Sequence, residues 1–226
     1  MCIRDREKSL LYTPELLFSY AAKKEDLSNI DKVCITAAVQ KLASIQYSGF
    51  IFLNVRPRSI IQGAFCEFLI ENTAKYGFSP EQIVLELTEQ QAILNPRDFY
   101  QNLKWIRSHG CKIALDDFGV GFSNFQMLDE LKPEYIKLSG VFSRDLLHDA
   151  HKVTIIKKTV ELAKQFKGEV IVENIEDEQT FKKVCSLSVS YAQGHYFAKP
   201  MEVQEFQRRE HQKDYSTFSS LEKQGI

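Results

Sequence analysis

Ile113-Ala114-Leu115-Asp116-Asp117-Phe118-Gly119-Val120-Gly121-Phe122-Ser123 decides how this chain is read. An apolar run stops at two adjacent carboxylates, and a pair of glycines follows. A buried strand delivers charge to the rim of a sheet or barrel in this way. Successive side chains on a strand point to opposite faces, so both aspartates reach one site only where the strand is ending. Two carboxylates placed together repel unless a cation or a proton lies between them. The pair therefore predicts a hard divalent metal with oxygen ligands. The remaining ligands must come from elsewhere in the chain.

Working outward, the same pattern recurs. Phe50-Ile51-Phe52-Leu53 closes on Asn54, and Ile83-Val84-Leu85 runs into Glu86-Leu87-Thr88-Glu89. Glu134-Tyr135-Ile136-Lys137-Leu138 carries a lysine, Glu169-Val170-Ile171-Val172 closes on Glu173, and Val189–Gln193 precedes Gly194. With Lys112–Asp116 these make six predicted strands. Helical spacing fills the intervals, at about 65–76, 98–108, 124–131, 151–166 and 178–186. Thr13-Pro14-Glu15 reads as a helix start, and Asp31 as the start of a second helix that Gly49 ends. Strand–helix alternation without hairpins predicts an α/β protein with a parallel sheet. Polar residues at the C-terminal end of every strand favour a TIM-type barrel, because an open sheet gathers its site at one switch point.

The strand ends are Asn54, Glu86, Asp116, Asp117, Lys137, Glu173 and Gln193. Hard oxygen ligands suit Mg²⁺ or Mn²⁺ better than zinc. Two such ions about 3.5–4 Å apart would stabilise the attacking and leaving oxygens of a phosphoester. Lys137 would hold the nucleophilic water or neutralise phosphate charge, and Glu173 would take the proton from that water. Taken singly, each residue has a structural reading as a helix cap, a turn residue or a surface lysine. Seven polar ends on six successive strands favour chemistry instead.

Bulk properties narrow the class. A 226-residue chain with 44% hydrophobic residues builds a sizeable core, and a net charge of -1 gives no reason to expect DNA or RNA as a partner. No apolar run has bilayer length, and Met1–Leu10 has no signal-peptide core. The five cysteines are scattered and never form CxxC, which suits a cytoplasmic location and excludes structural zinc. Asp117-Phe118-Gly119 echoes a kinase segment without its companions. His148-Asp149 lacks the further histidines of a phosphohydrolase.

These motifs resemble the EAL domain, the cyclic-di-GMP-specific phosphodiesterase family of bacterial signalling. Asn54 stands as in its NxS segment, Glu86-Leu87-Thr88-Glu89 as in E-[IL]-T-E, and Asp116–Ser123 as in DDFGTGYS. Tyr135-Ile136-Lys137 carries the lysine of KID, Val172-Glu173-Asn174-Ile175-Glu176 matches AEGVE, and Gln193–Pro200 matches QGYxFxKP. The resemblance runs from about Thr13 to Phe206. It implies a (β/α)8 barrel with one antiparallel strand and two Mg²⁺ or Mn²⁺ ions at its rim. The implied reaction opens cyclic di-GMP to linear pGpG. Asn54, Glu86, Asp116, Asp117 and Glu176 would serve the metals, Lys137 and Glu173 the chemistry, and Gln193 the substrate. Glu89 would brace the Gly119–Ser123 loop, which transmits dimerisation to a homodimer partner.

Departures from the pattern set further expectations. The name-giving Glu-Ala-Leu segment is absent and, with two strands, is expected ahead of Thr13. Residues 1–10 read as a non-native, adapter-derived leader, 11–206 as a partial EAL-type domain and 207–226 as a polar tail. An N-terminally truncated, incomplete barrel follows, inactive as it stands because one metal ligand is lost. Ser139 replaces the KID aspartate, Val120 a loop threonine and Asn174 the glycine of AEGVE. A degenerate domain that binds cyclic di-GMP or a protein partner without turnover is the alternative.

Overall fold

Short, continuously apolar runs form strands buried on both faces, and longer amphipathic runs form the helices that cover them. The computed structural model of the chain describes residues 27–88, 96–120 and 125–212. They fall into two compact units, one of Met1–Leu87 with Gln91–Lys112, the other of Thr88–Gln90 with Ile113–Ile226.

In the first unit, helix α1 (Leu27–Ala43) precedes strand β1 (Ile51–Asn54), and α2 (Pro57–Ile60) and α3 (Gly63–Lys75) lead to β2 (Ile83–Thr88). Helix α4 (Pro96–Ser108) completes it. The strands β1 and β2 are parallel, with Ile51 opposite Ile83 and Asn54 opposite Glu86. Ile35, Val39, Phe65, Leu69, Phe99, Leu103 and Ile106 bring one face of each long helix into the core. Asn102 on α4 donates its amide to the carbonyls of Ile60 and Ile61, at 2.7 and 3.1 Å, and so ties α4 to the end of α2. At the N-terminal end of the strands, the Lys112 ammonium lies 4.1 Å from the centre of the Phe50 ring.

Asp31 corrects one expectation. It does not start a helix, because α1 already begins at Leu27. Its carboxylate is 3% exposed and accepts hydrogen bonds from the Arg56 backbone N–H, the Arg56 guanidinium and the Ser59 hydroxyl. Burial raises its proton affinity even though these donors oppose the shift. The buried acid joins α1 to the N-terminus of α2, a short helix that the sequence pattern did not predict.

In the second unit, β3 (Lys112–Phe118) is followed by α5 (Phe125–Leu131), β4 (Tyr135–Leu138) and α6 (Ala150–Gln165). Next come β5 (Glu169–Val172), α7 (Glu178–Cys185), β6 (Tyr191–Ala192) and α8 (Val203–Gln212). Asp149 caps α6 by accepting from the N–H groups of His151 and Lys152, and Asp177 caps α7 through the N–H of Thr180. Helix α8 runs through the domain boundary placed at residue 206 in the sequence. The last strand has two residues rather than five.

Strand order follows chain order, β1-β2-β3-β4-β5-β6, and the described residues show only parallel pairs. Six parallel strands alternating with helices make the incomplete TIM-type barrel predicted above, and the antiparallel strand implied by the family is not among the described residues. Cys34, Cys66, Cys111 and Cys185 are free thiols. Burial pushes Cys66 up to about 11 and Cys111 up to about 12, so both stay protonated and unreactive at neutral pH. No helix among the described residues is long and apolar enough to cross a membrane.

Candidate active site

Each unit brings its own polar strand ends together. In the first, the Asn54 amide donates to Glu86 Oε2 at 2.9 Å. That bond uses the amide nitrogen, so Asn54 Oδ1 remains an acceptor. Glu86 is buried, and its carbonyl accepts the Val55 N–H at 3.0 Å. The residue after Asn54 is therefore fixed to the strand that carries Glu86.

In the second unit, β3 does not stop at Asp116. Leu115 lies opposite Ile136 and Phe118 opposite Leu138, so β3 advances three residues while β4 advances two. The extra residue is a bulge. Asp117 takes a left-handed φ of 54° within it. The bulge, rather than a strand end, presents two consecutive carboxylates. A non-glycine residue in that region is uncommon and marks a backbone held by its surroundings.

Lys137 joins this bulge to β5. It is 5% exposed, and its Nζ lies 2.7 Å from Asp116 Oδ1 and 2.9 Å from Glu173 Oε1. The contact with Asp116 is an ion pair only. Asp116 Oδ1 is buried without a hydrogen bond of good geometry, although the ammonium is close. Burial pushes the Glu173 carboxyl above its ordinary range. Lys137 opposes that shift, while the charges of Asp116 and Asp117 add to it. The Glu173 N–H donates to the Leu138 carbonyl at 3.1 Å, which fixes its backbone to β4.

The other predicted residues are placed less centrally. Gln193 pairs through its backbone with Val172 and Ile175, and its side chain is exposed. Gly194 lies against the backbone of Ile175, where a Cβ would sit 2.7 Å from the Ile175 carbonyl carbon. That close approach requires glycine. Glu176 is exposed, and no hydrogen bond or ion pair joins it to the Lys137 cluster among the described residues. Glu89 and the loop residues Gly121, Phe122 and Ser123 lie outside the described residues.

The donor chemistry fits a hard divalent cation. Asp116 and Asp117 offer carboxylate oxygens from one bulge, a donor type that suits such a cation. Among the described residues, no three Asp, Glu, His or Cys side chains gather into a metal cage. Sequence reasoning misread Asp31 and missed Gly140 and Ser143. Only Asn174, beside Glu173 and of a type that tolerates positive φ, carried a legible signal.

Fold and rim together define a TIM-type barrel domain with acidic and basic groups at its strand ends. A family profile described as the EAL domain matches residues 1–200. The chain belongs to the EAL domain family. It is similar to the protein described as a probable cyclic di-GMP phosphodiesterase, PdeA, of Escherichia coli strain K12, with 31% identity over 148 residues. That alignment covers 66% of this chain and 20% of PdeA, so the chain spans about a fifth of that relative. The solved structure of the EAL enzyme Bd1971, bound to cAMP and cyclic di-GMP, superposes with a TM-score of 0.78 at 25% identity, covering 87% of this chain and 55% of that one. The manganese and cyclic-di-GMP complex of Klebsiella pneumoniae BlrP1 shares the fold, with a TM-score of 0.76 at 24% identity over 83% of this chain and 48% of that one.

The match corrects the reading of the N-terminus. A truncated chain that lacks the family's first segment was expected, with residues 1–10 ahead of the domain. The profile instead matches from residue 1 and takes in almost the whole chain. Six strands had been counted against an ideal eight, which is a poor measure for a family whose barrel is distorted. The expected inactivity rested on a metal ligand assigned to the segment ahead of Thr13.

Proposed function

We propose that this domain hydrolyses cyclic di-GMP to linear pGpG with two Mg²⁺ or Mn²⁺ ions bound. One observation carries the reading. In a chain of the EAL family, a buried lysine lies 2.7 Å from Asp116 and 2.9 Å from Glu173. Asn54, Glu86, Asp116, Asp117 and Glu176 would hold the ions, which when bound supply positive charge to the phosphate and acidify water. Glu173 takes a proton from the attacking water, and its raised proton affinity suits that role. Lys137 orients the water and offsets negative charge as it develops on the phosphoryl oxygens. The water oxygen bonds to phosphorus, the bond from phosphorus to the 3′ oxygen breaks, and that oxygen takes up a proton. Gln193 would contact the substrate, and Glu89 would brace the loop at 119–123, which would transmit dimerisation in a homodimer. A cytoplasmic location fits its substrate.

Incubation with cyclic di-GMP and Mg²⁺ or Mn²⁺, followed by chromatography, tests the reading. Production of pGpG is expected, with a loss of about 10²–10⁴-fold in Glu173→Gln. No pGpG with either metal overturns it. A second reading is favoured by Ser139. This buried residue directly follows β4 and stands where the resembled KID segment has an aspartate. On that reading the domain binds cyclic di-GMP without turnover, and Ser139→Asp gains turnover.

A further inference from the structure

We propose that Gly140 and Asn174 interlock the ends of β4 and β5 and so position Glu173 against Lys137. The inference rests on the reading of Glu173 as general base. Gly140 lies three residues beyond Lys137, and Asn174 directly follows Glu173. A Cβ at position 140 would lie 2.5 Å from Asn174 Cβ, 3.2 Å from its Cγ and 3.4 Å from its Nδ2. A Cβ is fixed to its own backbone, so no rotamer change relieves the first contact. Any side chain at 140 must therefore push the Asn174 backbone, and with it Glu173.

Two further observations close the corner. Asn174 holds a left-handed φ of 59°, which asparagine adopts more readily than most residues. The buried Ser143 places its hydroxyl 3.0 Å from the Gly140 carbonyl and 3.3 Å from the Asn174 carbonyl. One hydroxyl thus faces the backbone of both segments. The β4–β5 register sets Lys137 opposite Ile171 and Leu138 opposite Val172, which leaves Glu173 as the first residue beyond the ladder. The Glu173 N–H bonds to the Leu138 carbonyl, and the Gly140–Asn174 contact holds the residue that follows, so the two together set the backbone from which the Glu173 side chain leaves. A glycine at 174, as in the resembled AEGVE segment, would make no such contact.

Three variants test the interlock: Gly140→Ala, Asn174→Gly and the double substitution. The direct readout is the Glu173 carboxyl resonance in protein labelled with ¹³C-glutamate, assigned by its loss in Glu173→Gln. Gly140→Ala is expected to move that resonance and to lower kcat by about tenfold or more with KM little changed, as misplacement of a catalytic group does. Asn174→Gly removes the contact and is expected to move the resonance as well, whereas the double variant puts a methyl at position 140 into the space that the Asn174 side chain leaves and is expected to restore both the resonance and kcat. The proposal is overturned if Gly140→Ala leaves the resonance in place, or if the double variant recovers the thermal melt and not the resonance. If Gly140→Ala does not fold, Ser143→Ala serves instead and must move the same resonance. An inactive wild-type protein would sink the phosphodiesterase reading alone, because the resonance decides the interlock without turnover.

Discussion

Asn54 meets Glu86 as a neutral amide against a carboxylate, whereas Asp116 and Glu173 meet only through the Lys137 ammonium. The first unit also holds a compensated charge just past the end of β1, where Asp31, Arg56 and Ser59 join α1 to α2. The second unit keeps its charge at the strand ends themselves. The difference teaches where each unit is vulnerable. A carboxylate held by an amide loses one hydrogen bond when its partner goes. Two partly buried carboxylates held by one ammonium lose the charge that lets them coexist. The second arrangement is a poor stabiliser, because one ammonium must offset two acids.

The largest effect is expected from Lys137→Met, which should cost about 3 kcal/mol in urea denaturation at neutral pH. Its acidic partners keep some solvent contact, with side chains 14% and 19% exposed, so the low end of the buried-pair range applies. The loss should shrink as pH falls and Glu173 becomes neutral. A full loss that persists at low pH would break the contrast between the units. Asp31→Ala comes next, at roughly 2 kcal/mol, because Arg56 and Ser59 are left without their acceptor. Turnover in that variant should follow stability and show no separate defect. Asn54→Ala should cost only about 1 kcal/mol in a melt while abolishing turnover, which would separate the amide's structural part from its ligand part. Lys112→Gln should cost about 0.5 kcal/mol or slightly more, since the Phe50 ring beneath the ammonium is 46% exposed.

The last test is a slope. Glu173 has a raised proton affinity in the folded chain. A carboxyl of this kind contributes stability that is complete below its unfolded value and is lost as pH rises through its folded value. Glu173→Gln should therefore flatten the fall of stability over that window in a pH series of melts. An unchanged slope would mean that the burial of Glu173 is relieved by solvent.

Much of this was legible in the residues. Continuous apolar runs closed by polar residues marked β1 to β5 to within a few positions, because a parallel strand covered on both faces leaves that pattern and few others do. Asp116, Lys137 and Glu173 were read together and are found together. Other features were hidden for physical reasons. A carboxylate before an apolar-periodic stretch looks the same whether it caps a helix or bonds to a distant arginine, so Asp31 was misread. The bulge at Asp116 and Asp117 is a property of pairing with β4, which no single strand reveals. Helix α2 is one turn long and follows Arg56, too short for any period to register. The requirement for glycine at 140 exists only because Asn174 comes near it in space.

Chain-order pairing in the second unit has a consequence for biosynthesis. Each of β4, β5 and β6 pairs with the strand made just before it. A nascent chain can therefore add one strand and one helix at a time, without waiting for a distant segment to emerge. The connection between β4 and β5 is nearly twice as long as the other two, which adds only about 0.6 kcal/mol to the entropy of closing it, so no single closure dominates assembly. The partners of Lys137 reach it in turn, Asp116 made earlier and Glu173 later. Until β5 has been synthesised, the lysine can neutralise only the first of its two acids.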